Sequence, residues 1–186
     1  MIDLTGCRYA VVDVEGNGQQ PPDLVELAVA PIVGGNVGDP SSWLLRPASK
    51  IAYMATKVHG ITNQDVADAP DFAAVESEVR DALAVDVLVA HAAHVDVGVL
   101  RSKLTDWQPP TVLDTLKLAR RLMPGRPSYR LGALVADLNL DADLAPNLKP
   151  HRATYDALVT ARLFVHLATS AGTVEALQGQ EAPSLF

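Results

Sequence analysis

The chain has 186 residues, 48% of them hydrophobic and 20% charged, which fits one globular domain and excludes a disordered chain. Its 22 acidic and 15 basic residues leave a net charge of -7, which disfavours tight nonspecific wrapping of long duplex DNA. A small nucleic-acid substrate stays compatible with that balance, because bound cations reverse the local sign of an acidic site.

The first ten residues, "MIDLTGCRYA", lack the basic-then-apolar pattern of a leader. No apolar run anywhere approaches the ~20 residues of a membrane span, so no membrane partner is expected. Cys7 is the only cysteine; no internal disulfide can form, a core position is expected for it, and a cytoplasmic location is the default. Tyr9 to Glu15 reads as an interior strand. The period of two sets Tyr9, Val11, Asp13 and Glu15 on one face and Ala10, Val12 and Val14 on the other. Asp13 and Glu15 then project from one side with alpha carbons about 7 Å apart. Two carboxylates held together repel unless protonated or given a cation, and oxygen ligands suit hard divalent ions. Taken alone, Asp-Val-Glu reads first as a strand that stops at Val12 followed by two solvated loop acids. Gly16, Asn17 and Gly18 read first as a turn.

Further strands are expected at Leu24–Ile32 and Ser41–Pro47, separated by Gly/Pro/Asp-rich turns. Pro70–Ala84 opens on Asp71 and spaces Phe72, Val75, Val79 and Leu83 as a helix does. A short apolar strand ends at His91, and a helix follows in which Asp96 falls in the first turn, where the helix dipole favours an acid. Thr111–Met123 holds a short strand or turn and then a helix ending near Pro124, with Asp114 as a candidate supporting group. Tyr129–Leu140 and Thr154–Gly172 read as two more helices. His151 and Asp156 are five residues apart, roughly 140° on one continuous helix. They converge more easily if His151 lies in the loop before it, where a neutral imidazole can accept a proton. Arg152 reads as a surface cation. The α/β order implies a mixed sheet in one domain over residues 1–172, with 173–186 as a short, loosely held tail.

Four segments in this order resemble a known group. "DVE" at Asp13–Glu15, "HGIT" at His59–Thr62, "HAAHVD" at His91–Asp96 and "HRATYDA" at His151–Ala157 are similar to the motifs of the four-carboxylate-plus-histidine (DEDDh) 3'-5' exonucleases. These have a ribonuclease-H-like fold and are related to the proofreading subunit of bacterial replicative polymerases. The likeness runs from Arg8 to Ala168 and includes "LDTLKLARRL" and "YRLGALVADLNL".

The resemblance implies an α/β, ribonuclease-H-like fold: a five-stranded mixed sheet with one antiparallel strand, flanked by helices. It implies two divalent cations, Mg2+ or Mn2+. Asp13 would bridge them, Glu15 and Asp156 would complete the tighter site, and Asp96 would support the second. His151 would deprotonate the attacking water. The implied reaction removes nucleoside 5'-monophosphates from a free 3' end of single-stranded DNA or RNA, or of a frayed duplex, with a polymerase or repair complex as a further partner. Substrate contacts are expected from Gly16, Asn17, His59, Ile61, Thr62, Arg126 and Arg130. Three places depart from the family pattern: Gly16 stands where Thr is common, Ala92 where Asn is, and Val95 where Phe is. They bear on substrate preference more than on hydrolysis. A catalytically weak nucleic-acid-binding domain and another two-metal phosphoesterase or endonuclease of the same fold are the competing readings.

Overall fold

The computed structural model of the chain describes residues 6–172 and Leu177. At its centre lies β1 (Tyr9–Gly16), whose first four residues are buried and whose last four are half-open. The alternation expected from the sequence holds. Tyr9 and Val11 belong to one core cluster, Ala10 and Val12 to the other, so β1 separates two apolar layers. β2 (Leu24–Val33) runs antiparallel to β1. β5 (Val87–Ala90) pairs with β1 in parallel, and β6 (Thr111–Asp114) with β5.

The expected five strands become six among the described residues, because β3 (Asn36–Val37) and β4 (Ser41–Leu44) both pair with β2. They meet it at different places, β3 at Ile32–Val33 and β4 at Glu26–Val29, away from β1. Five strand positions result, and β2 is the antiparallel one.

The helices are α1 (Tyr53–His59), α2 (Phe72–Ala82), α3 (His94–Lys103), α4 (Thr115–Leu122), α5 (Leu131–Leu138) and α6 (Ala153–Ala171). Asp71 caps α2 by accepting the Ala74 amide, and Gly172 ends α6 in the left-handed conformation. α6 is the main support of the sheet. Its Val159, Leu163, Phe164 and Leu167 are fully buried against β1 and β2, each side chain contributing about 1.5–3 kcal/mol of transfer free energy. α2 and α3 cover the opposite face through Val75, Val79, Val97 and Leu100. A smaller cluster of Val25, Ile51, Ile61 and Val66 lies beside α1.

One expectation changes. Cys7 is exposed, not core. Most of the tail lies outside the described residues, but Leu177 is buried in the α6 core and its carbonyl accepts a hydrogen bond from Arg121. Among the described residues no helix is long and apolar enough to cross a membrane.

Candidate metal centre and active site

The parallel β1–β5 ladder stops at Val11, which frees the last residues of β1 from that neighbour. Asp96, in the first turn of α3, uses this gap: its Oδ1 accepts the Val14 amide, 3.2 Å away, between Asp13 and Glu15. On the other side β2 continues, with Glu26 directly opposite Glu15. α6 begins beside these strand ends and carries Asp156 in its first turn.

One carboxylate oxygen each of Asp13, Glu15 and Asp156 lies within 4.8 Å of the others, the spacing a shared cation requires. Asp96 stands next to this trio, and after burial its charge is the strongest influence raising Asp13. Burial raises all four, and the charges of neighbouring carboxylates add to it. Asp13 is pushed well above the usual carboxylate range; Glu15 rises to about 8, first by burial and then by the Asp156 charge. Asp96 rises to about 7 through burial, offset by the Val14 amide. Asp156 rises to about 6 through burial, offset by His151. An all-oxygen donor set that resists ionisation when empty fits a divalent cation, which would supply the missing positive charge.

His151 lies in the loop before α6, as its sequence position suggests, with an exposed side chain and a left-handed backbone at φ 61°. Its amide donates to Asp156 Oδ2 at 3.1 Å, so the histidine loop is tied to the carboxylate trio. Sequence reasoning passed over Glu26. This buried acid takes a two-pronged bond from Arg152 and the amide of Ala153. The available signal was an isolated acid inside the apolar run "LVELAVAPI". Arg152 is correspondingly a site residue, and the surface-cation reading is corrected.

The expected substrate residues separate. Asn17 is fully buried; its Oδ1 accepts the amides of Gln19 and Asp23 and its Nδ2 donates to Ser49. It braces the turn from within, so its side chain is not presented to a substrate. Gly16 ends β1 at a register shift opposite Leu24. His59 is buried at the end of α1. Its Nδ1 accepts the Ile61 amide at 3.0 Å, which leaves the proton on the buried Nε2, directed to the Gly16 carbonyl. Burial also holds the His59 pKa below its usual value. Ile61 belongs to the small apolar cluster yet borders an open hollow of about 440 Å³ shared with Leu44, Gly60, Asp65 and Arg152. The Thr62 hydroxyl donates to Asp65, closing the turn after α1. Arg126 is committed to Asp137 at 2.8 Å. Arg130 is exposed at the start of α5 and borders a separate hollow with His91 and Ala92. His91 braces that wall through Thr115 and the Tyr129 carbonyl.

Comparison with known proteins is consistent across sequence and fold. The family described as Exonuclease matches residues 10–164. Exodeoxyribonuclease 10 of Escherichia coli (strain K12) is 34% identical over 162 residues, covering 87% of this chain and 69% of the relative. The 3'-5' exonuclease DinG of Bacillus subtilis (strain 168) is 34% identical over 167 residues; the match covers 86% of this chain but 17% of DinG, so only a small part of that protein is represented here. A solved structure of exonuclease X in complex with 5' overhanging duplex DNA aligns with a TM-score of 0.75 at 34% identity. It covers 88% of this chain and 93% of the other.

Proposed function

The chain belongs to the exonuclease family, and from that premise we propose that it is a metal-dependent 3'-5' exonuclease releasing nucleoside 5'-monophosphates from a DNA strand with a free 3' end. The observation that carries this is the trio of Asp13, Glu15 and Asp156 oxygens within 4.8 Å, with Asp96 beside it and His151 on the loop tied to Asp156. The names of the 34%-identical relatives, an exodeoxyribonuclease and a DNA-bound exonuclease X, support DNA as the substrate.

Asp13, Glu15 and Asp156 would hold the divalent cation, and Asp96 a second one, Mg2+ or Mn2+ in either place. Such ions polarise phosphate oxygens and the attacking water. The chain supplies the remaining work. His151 accepts the proton of the attacking water, a role its exposed imidazole beside Asp156 allows. The hollow beside Ile61 receives the terminal nucleotide. With a net charge of -7 the chain holds a long polyanion weakly outside the site, so processivity is modest.

The test uses 5'-labelled and 3'-labelled DNA and RNA oligonucleotides with Mg2+ or Mn2+: a single strand, a 3'-blocked strand, a duplex with a recessed 3' end and a circular strand. Stepwise release of 5'-mononucleotides from free DNA 3' ends, with the circle intact, is expected. Cleavage of the circle overturns the exonuclease reading, and faster degradation of RNA overturns the DNA assignment.

A further inference from the structure

We propose that Glu26 and Arg152 are a positioning pair for the general base: they lock the loop that presents His151 to the carboxylate cluster. This rests on the exonuclease reading and assigns a task to two residues outside the catalytic set.

Glu26 lies opposite Glu15 in the β1–β2 register, and paired residues of an antiparallel ladder face the same side. A fifth carboxylate therefore sits beside the four, and its charge raises Asp13, Glu15 and Asp156 further. Its side chain is only 6% exposed. An acid in that position is retained only with a fixed counter-charge, and Arg152 provides one with two parallel bonds, Nε to Oε2 at 2.9 Å and Nη2 to Oε1 at 2.5 Å.

The geometry reaches His151 through the backbone. Arg152 is the N-cap of α6 and makes no side-chain cap bond of its own. Glu26 Oε2 replaces that cap from another strand by accepting the Ala153 amide at 2.9 Å. On the other side of Arg152, the His151 amide is held by Asp156. His151 is thus fastened on both flanks while its backbone stays at φ 61°, a conformation that a non-glycine residue keeps only when its surroundings impose it. Loss of the Glu26–Arg152 bonds releases one flank, and the imidazole loses its place although every catalytic side chain remains.

The alternatives make different predictions. A residue acting through His151 affects turnover, and its effect disappears once His151 is gone. A phosphate contact raises KM and acts independently of His151. A purely electrostatic role survives replacement by lysine, which keeps the charge and loses the two-pronged fork.

The experiment is a double-mutant cycle of R152A and H151A, with R152K and E26Q as further variants and Mn2+ affinity measured separately by titration calorimetry. H151A should lower kcat by about 100-fold or more, as general-base loss does. R152A should lower kcat by about tenfold or more, with KM and Mn2+ affinity within about threefold of wild type. R152K should resemble R152A. In the H151A background R152A should cost less than about threefold, the signature of two residues acting as a unit. Hydrogen exchange of the 151–156 amides should be faster in R152A and E26Q. Additive losses, a rise confined to KM, a wild-type kcat in R152K or a loss of Mn2+ affinity would each overturn the positioning role. If R152A does not fold, R152K and E26Q complete the same cycle with H151A. Wild-type protein that binds Mn2+ but degrades no oligonucleotide overturns the exonuclease reading instead, and the exchange rates then judge the pairing on its own.

Discussion

At Gly18 the backbone takes φ 77°, and a Cβ there would stand 3.0 Å from Ala55 Cβ and 3.2 Å from Ala52 Cβ. Both conditions forbid a side chain, because the left-handed conformation strains alanine and α1 leaves no space. Gly16 is different: its added Cβ would meet Pro22 Cβ at 3.4 Å, an ordinary contact. The expected outcome is that G18A loses about 1–3 kcal/mol of unfolding free energy in urea, while G16A stays within about 0.5 kcal/mol of wild type. Equal stability of the two variants would show that α1 does not press on this turn. The turn itself was readable in "GNG", but not the division of labour within it. Asn17 looks like an exposed polar residue until Gln19, Asp23 and Ser49 fold around its amide group. Glu26 and Arg152 were missed for a related reason. They are 126 positions apart in sequence, and only the β1–β2 register together with the start of α6 brings them into contact.

Elements differed in how clearly the sequence announced them. β1 was legible because two-residue alternation places its acids on the face that α6 covers. α6 was legible because its apolar residues recur at helical spacing over 19 residues. α1 was not foreseen. It has seven residues, no side-chain cap, and an outer face where Tyr53, Met54 and Val58 are exposed, so neither capping nor amphipathic pattern marks it. β3 is two residues long and carries no periodicity to read. The short β6–α4 joint shows how a local signal extends into the site. Asp114 caps α4 through the Leu116 amide at 2.9 Å, and the same oxygen accepts the Ala92 amide at 3.1 Å. It therefore pins the turn between β5 and α3 just before Asp96. D114A should cost about 1–2 kcal/mol, the value of a lost cap, and should also weaken Mn2+ binding by loosening the turn that precedes Asp96. D114N keeps an acceptor and should recover most of both. Thermal unfolding and Mn2+ titration of the two variants decide; unchanged Mn2+ affinity in D114A would confine Asp114 to helix capping.

For the molecule as a whole, the carboxylate cluster makes stability depend on pH and on cations in opposite directions. Glu15 at about 8, Asp96 at about 7 and Asp156 at about 6 all lie above their unfolded values, and Asp13 is raised as well. A raised acid stabilises the folded state below its unfolded pKa, and that contribution is lost as pH climbs through the folded pKa. His59 and His91 have depressed values because of burial, so their share grows as pH rises toward the unfolded histidine pKa of about 6.5 and is complete above it. The carboxylates therefore dominate above about pH 7. In the presence of a chelator, Tm should fall as pH is raised from about 7 to about 8.5. D13N removes one of the repelling charges and should flatten that fall. Mn2+ competes with protons for the same oxygens and stabilises only the folded form, so the gap between curves with Mn2+ and with chelator should widen over that interval. Differential scanning calorimetry at closely spaced pH values gives both readings. Parallel curves with and without Mn2+, or a chelator curve that is flat in wild type and D13N alike, would mean that the four acids do not share the strained, proton-retaining site their geometry describes.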